Sequence, residues 1–189
     1  MVRPRLIKQG ISVLSLIGLV LFMGGCSGKG SETSVLERGK YLAMVGGCGD
    51  CHSPKTITSA GPVPDAKRLL SGYPASARLP EIPKGILGPA QWGAITNTDM
   101  TAWAGPWGVS FSYNLSPHAP TGIGAWNESL FIQSLRSGKF MGTSRDMLPP
   151  MPWQTIGQMT DDDLKAIFAY LKSVPPIENV IPDPIPPSQ

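Results

Sequence analysis

Five consecutive residues, Cys48-Gly49-Asp50-Cys51-His52, constrain this chain most, because they hold two of its three cysteines and one of its two histidines. Three cysteines exclude a disulfide-stapled scaffold and cannot furnish a four-cysteine zinc site. Two histidines exclude a multi-histidine metal centre and leave little room for histidine-based catalysis. Composition adds one constraint on the fold. The 189 residues include 22 Gly and 20 Pro, which points to a loop-rich protein with few long regular elements. Hydrophobic residues, at 41%, can still build a core. A formal charge of +3 without clustered Lys or Arg gives no footprint for nucleic acid.

Two thiols three positions apart, followed at once by a histidine, form the C-x-x-C-H pattern of covalent c-type haem attachment. Each thiol can add to one vinyl group of the porphyrin, and His52 is then held beneath the iron as proximal ligand. A thioredoxin-type redox pair shares the C-x-x-C spacing but expects a preceding strand in a βαβ context. Here a short helical segment and Gly46-Gly47 come first. A zinc ribbon needs a second cysteine pair, and only Cys26 is left. The expected cofactor is therefore one haem c, bound through Cys48 and Cys51 with His52 on its iron.

A sixth iron ligand must come from elsewhere. Thioether and imidazole are the usual partners of a haem histidine, and a Met raises the reduction potential. Met44 is too near the attachment site to fold over the opposite face. Met159 sits at the start of the last helix. Met141, Met147 and Met151 share the loop between the last two helices. Met151 is favoured, since Pro149, Pro150 and Pro152 stiffen the backbone around it. Met147 and His118 are the alternatives. Trp153, two residues beyond Met151, is a candidate haem contact.

Residues 1–25 read as a secretory signal. Arg3, Arg5 and Lys8 make its positive start. The apolar stretch Ile11 to Met23 falls short of the ~20 residues that a membrane span needs. It ends at Met23-Gly24-Gly25-Cys26, which resembles the bacterial lipoprotein cleavage box. That resemblance implies cutting before Cys26, lipid on its sulfur, and a stable hold on a bilayer. Ser27 after the cysteine, rather than Asp, favours the outer over the inner membrane. Lipid on Cys26 and haem on Cys48 and Cys51 would account for every cysteine. Cleavage would remove three of the 16 basic residues and leave as many as the 13 acidic ones.

Residues 26–33 read as a flexible tether. Ser34 with Glu37 makes a capping-box pattern for a first helix that Gly46-Gly47 ends. Residues 53–108 carry no long helical pattern, and 53–104 has no assigned role. Val109, Phe111 and Tyr113 alternate with serines, as in one short strand. Asn127 can cap a helix that Gly138 stops. Thr160 with Asp163 can cap a last helix carrying Leu164, Ile167, Phe168 and Leu171 at helical spacing, ended by Pro175-Pro176. The expected domain is 34–176, followed by a Pro-rich tail, 177–189.

Several motifs beyond C-x-x-C-H bear on kinship. They are Arg38-Gly39-Lys40-Tyr41-Leu42, Gly105-Pro106-Trp107-Gly108, Asn114-Leu115-Ser116-Pro117, Gly122-Ile123-Gly124-Ala125-Trp126, and Leu148-Pro149-Pro150-Met151-Pro152-Trp153. Met159-Thr160-Asp161-Asp162-Asp163-Leu164 and Ala169-Tyr170-Leu171-Lys172-Ser173-Val174-Pro175-Pro176 complete the set. With these the chain resembles class I c-type cytochromes, in particular bacterial monohaem lipoproteins and the cytochrome subunits of membrane-bound dehydrogenases. The resemblance implies a mostly α fold around one covalently bound haem, with long loops. It implies His52 and Met151 as axial ligands. It also implies that the first and last helices cross, with Gly39 approaching a face that bears Phe168, Tyr170 or Leu171. Tyr170 joins Trp153 as a candidate haem contact. His118 stands where such proteins commonly carry Asp.

The function expected is electron transfer rather than catalysis. A six-coordinate iron passes one electron without binding a small-molecule substrate. The expected partners are redox proteins at the periplasmic face of the cell envelope, met through a small, partly apolar patch, and the membrane through the lipid. A haem sensor or peroxidase-like protein with a displaceable Met, and a haem-bearing accessory subunit of a respiratory or dehydrogenase complex, are the alternatives.

Overall fold

The computed structural model describes residues 32–187. The signal segment, Cys26 and the tether up to residue 31 lie outside the described residues. Helix α1 (Glu32–Val45) is already helical at Ser34, so Ser34 lies inside the helix instead of capping it. Gly39, Leu42 and Ala43 form its buried face. Gly46 N–H closes the last turn on Leu42 O at 2.8 Å, and Gly47, at φ 69°, redirects the chain. Cys48-Gly49-Asp50-Cys51-His52 then form their own short helix, α2 (Cys48–His52).

The core is helical. It joins Leu42 of α1 to Ile123, to Phe131 and Leu135 of α3 (Glu128–Ser137), to Ile156 of α4 (Trp153–Ile156), and to Leu164, Ile167, Phe168 and Leu171 of α5 (Asp161–Ser173). The caps expected of α3 and α5 form. The Asn127 side chain accepts from Leu130 N–H at 2.8 Å, and Thr160 Oγ1 accepts from Asp163 N–H at 3.2 Å. Helices α1 and α5 pack against each other along their lengths. At the crossing an added Cβ on Gly39 would overlap the Ala166 carbonyl and come within 3.0 Å of Tyr170 Cβ. Of the face expected to meet Gly39, Tyr170 is therefore present, and the backbone of Ala166 does the rest. Arg38 flanks the crossing with an ion pair to Asp163 at 3.0 Å.

The domain holds more β structure than the single short strand expected. Strands β1 (Lys55–Thr58) and β2 (Gly61–Pro64) form one antiparallel hairpin. A second antiparallel sheet has the order β3 (Ile95–Thr96), β4 (Ala102–Gly105), β5 (Gly108–Phe111). Prolines in β2 and glycines bounding β4 and β5 hide the usual strand signal. The alternation read at Val109 and Phe111 does not sort the faces either. Val109 and Ser110 are both buried.

The Pro-rich tail is extended but docked on the edge of β5. Ile185 and Val109 exchange two main-chain hydrogen bonds, at 2.8 and 3.0 Å. The Met151 loop also meets β5, its Pro149 carbonyl accepting from Ser110 Oγ at 2.5 Å. Among the described residues no buried side-chain N or O lacks a hydrogen-bond partner. Nor is any of their helices long and apolar enough to cross a membrane.

Candidate haem-binding site

The site begins with what α2 does to its side chains. Residues three apart on a helix lie on neighbouring positions of one face. Cys48 and Cys51 are both free and partly buried. Burial pushes the Cys48 thiol up to about 11, helped by Cys51 and Asp50 and opposed by a backbone hydrogen bond. Burial also raises Cys51, against the pull of Lys55. An activated redox pair needs the opposite, a lowered thiol.

His52 follows directly. Its Nδ1 lies 2.7 Å from the Tyr113 carbonyl oxygen. A carbonyl can only accept, so Nδ1 carries the proton and donates, which leaves Nε2 with a free lone pair. Burial holds the imidazole below its usual value, with the Tyr113 carbonyl pulling the other way and Lys55 adding to the depression. A neutral imidazole with one nitrogen anchored is the form in which histidine binds a metal. Among the described residues no group of three or more His, Cys, Asp or Glu is placed to hold a metal ion. The donor set fits haem c: two free thiols for the vinyl groups and one oriented imidazole.

The structure brings several expected residues to the same core. Cys48, Met151, Tyr170, Trp126, Tyr113 and Met159 are partly buried and pack against it. The Tyr170 phenol is raised by burial first and by Cys48 second. Met151 N–H closes a turn on Leu148 O at 3.3 Å, and Met147 N–H ties the loop to Gly138 O at 2.7 Å. Met141 is exposed, at φ 51°. The Trp153 ring lies against Gly138, where an added Cβ would overlap it. His118 is half-buried, and its Nδ1 pairs with Thr121 Oγ1 at 2.8 Å.

Two features carry no sequence signal of their own. One is the Tyr113 carbonyl. The other is an aromatic group in which the Phe140 ring meets Tyr113 at 4.9 Å and Trp126 at 5.7 Å, with the Arg145 guanidinium 4.9 Å above Phe140. The short alternation around Val109 ends at Tyr113, and the family resemblance points to Trp126. Neither links the two.

The structure is a predominantly helical domain with two small antiparallel sheets, and comparison with known proteins adds a family-level likeness. No family model matches the chain. At the family level it is a distant homologue of cytochrome c subunits of bacterial dehydrogenases. It is 27% identical to the gluconate 2-dehydrogenase cytochrome c subunit of Pantoea cypripedii, over 84% of this chain and 27% of that one. It is 26% identical to the cytochrome c subunit of the quinone alcohol dehydrogenase of Gluconobacter oxydans, over 96% of this chain and 31% of that one. It is 28% identical to a subunit of the nicotinate dehydrogenase of Pseudomonas putida, over 80% of this chain and 10% of that one. The chain thus spans a tenth to about a third of the length of these curated relatives.

Proposed function

We propose that the protein is a monohaem c-type cytochrome that carries single electrons between redox partners at the cell envelope. The observation that carries this is the α2 donor set: two free thiols one helical turn apart, and an imidazole whose Nδ1–H is held by the Tyr113 carbonyl at 2.7 Å. Cys48 and Cys51 would hold haem c through thioether bonds, with His52 Nε2 and the Met151 sulfur on its iron. Bound there, the haem would supply a one-electron couple. The chain's own part is to fix the imidazole, exclude water through the core packed around Cys48 and Met151, and present a docking face. Tyr41, Met44 and Val45, exposed on the last turns of α1 just before Cys48, give a small apolar patch for that purpose. Trp153 and Tyr170 are proposed haem contacts, and lipid on Cys26 is proposed to tether the domain to the periplasmic side of a membrane, the outer one by the Ser27 pattern. The relatives are dehydrogenase subunits, so a membrane dehydrogenase is the first partner to test.

The mass of the mature protein, purified from its native membrane, should exceed that of the polypeptide by one haem that survives denaturation, besides the mass of any acyl chains. Met151→Ala should abolish the weak far-red sulfur-to-iron absorption band and lower the reduction potential. A band that persists unchanged would move the ligand to Met147. Reduced wild type should bind carbon monoxide barely at all; rapid stoichiometric binding would favour the sensor or peroxidase alternative.

A further inference from the structure

His52 is gripped by main chain at two points. Its Nδ1 meets Tyr113 O at 2.7 Å, and its own carbonyl accepts from Gly72 N–H at 2.8 Å. The two gripping segments lie edge to edge. Tyr73 N–H donates to Ser112 O at 3.0 Å and Leu115 N–H to Leu70 O at 2.8 Å. Gly72, at φ 79°, sits so close to the Ser112 and Tyr113 carbonyls that a side chain has no room.

A third segment, the start of the C-terminal strap, clasps both. Asn179 Nδ2 donates to Ser71 O at 2.7 Å and Tyr73 O at 2.8 Å, bracketing Gly72. Its Oδ1 accepts from Ala75 N–H at 2.9 Å, and its N–H donates to Thr121 Oγ1 at 3.1 Å. Two residues earlier the Ile177 carbonyl accepts from Asn114 Nδ2 at 2.8 Å and from Ser116 Oγ at 3.2 Å. Asn114 is fully buried, directly follows Tyr113, and accepts from Ser116 N–H at 3.0 Å through its Oδ1. Neither Ile177 nor Asn179 belongs to the apolar core. Most of their bonds go to the two segments that hold His52 or to residues directly after them.

We propose that residues 177–179 form a clasp that fixes the hydrogen bond on His52 Nδ1, with Asn179 and Asn114 as positioning residues. In its effect on potential the clasp rests on the haem reading above. A well-held Nδ1–H bond makes Nε2 a stronger donor to iron. Stronger donation favours the oxidised metal, so loosening the clasp raises the reduction potential.

The test compares Asn179→Ala with Ile185→Pro in the full chain. The second change breaks the same strap at its far end by removing the N–H donated to Val109 O. Two quantities are read: the midpoint potential of the haem-loaded protein, and the exchange rate of the His52 Nδ1 proton by NMR. Asn179→Ala should move the potential positive and speed the exchange by about tenfold, as local opening becomes easier. Ile185→Pro should lower the melting temperature and leave both quantities at wild-type values. If Asn179→Ala lowers only the melting temperature, with either quantity at its wild-type value, the clasp is overturned. Should that variant fail to fold, isosteric Asn179→Asp removes both donors, keeps the acceptor for Ala75, and is held to the same two readouts. A chain that proves to carry no haem sinks the cytochrome reading alone, and proton exchange in the haem-free protein then decides the clasp by itself.

Discussion

At Gly39 the lack of a side chain lets two helices touch, because the Ala166 carbonyl and Tyr170 Cβ occupy the place a Cβ would take. Gly39→Ala should destabilise the fold by ~2–3 kcal/mol, since a methyl forced into a packed contact displaces backbone; a urea titration with an unchanged slope would measure it. The glycine and Tyr170 are legible in the sequence, but the Ala166 carbonyl is not. His52 divides the same way. Its place after two spaced cysteines can be read from the order of residues. Its partner cannot, because the group that meets Nδ1 is the main-chain oxygen of Tyr113, and every residue has one. Met151 stands out in the sequence for its prolines, and the structure adds that it packs half-buried on the core.

The helices α3 and α5 announce themselves through their caps, and Asn127 and Thr160 do accept the N–H groups expected of them. Thr160→Ala should cost about 1 kcal/mol by thermal unfolding, the usual loss of an N-cap. The strands are far less legible. Their signals are short and broken by Pro and Gly, and beyond its local hairpin β5 also bonds to Ile185 and Pro149, both distant in the chain. The second sheet has a use that follows from its position: Ser110 on β5 holds the Pro149 carbonyl of the Met151 loop at 2.5 Å. Ser110→Ala should loosen that loop, so the reduced variant should bind carbon monoxide faster than wild type in stopped flow. An unchanged rate would mean that the loop is held by its own prolines. Part of the 53–104 segment thereby gains a role: β4 pairs with the strand that anchors this loop, and Leu70–Tyr73 backs the histidine.

For the molecule as a whole, charge follows from the proposed cleavage. A chain cut before Cys26 is formally neutral, so long-range attraction to a partner is weak. Its electron-transfer rate with a membrane dehydrogenase should change by less than about threefold between low salt and ~0.2 M, where screening is already strong; stopped-flow mixing at varied ionic strength checks this. A steep salt dependence would point to local charge at the docking face in place of the apolar turn of Tyr41, Met44 and Val45.

The order of residues was enough to set the Cys48–His52 pattern, the principal helices, the caps of α3 and α5, and the proline-bound methionine. Each of these is written in side chains within a few positions of one another, where helical spacing and proline geometry act. Folding in three dimensions was needed to select the carbonyl that takes the His52 proton, to gather Tyr113, Trp126 and Phe140 into one aromatic group, and to turn the proline-rich tail back as a strap. Those contacts join main-chain groups or rings far apart in the chain, and a main-chain oxygen looks the same at every position until the fold selects one.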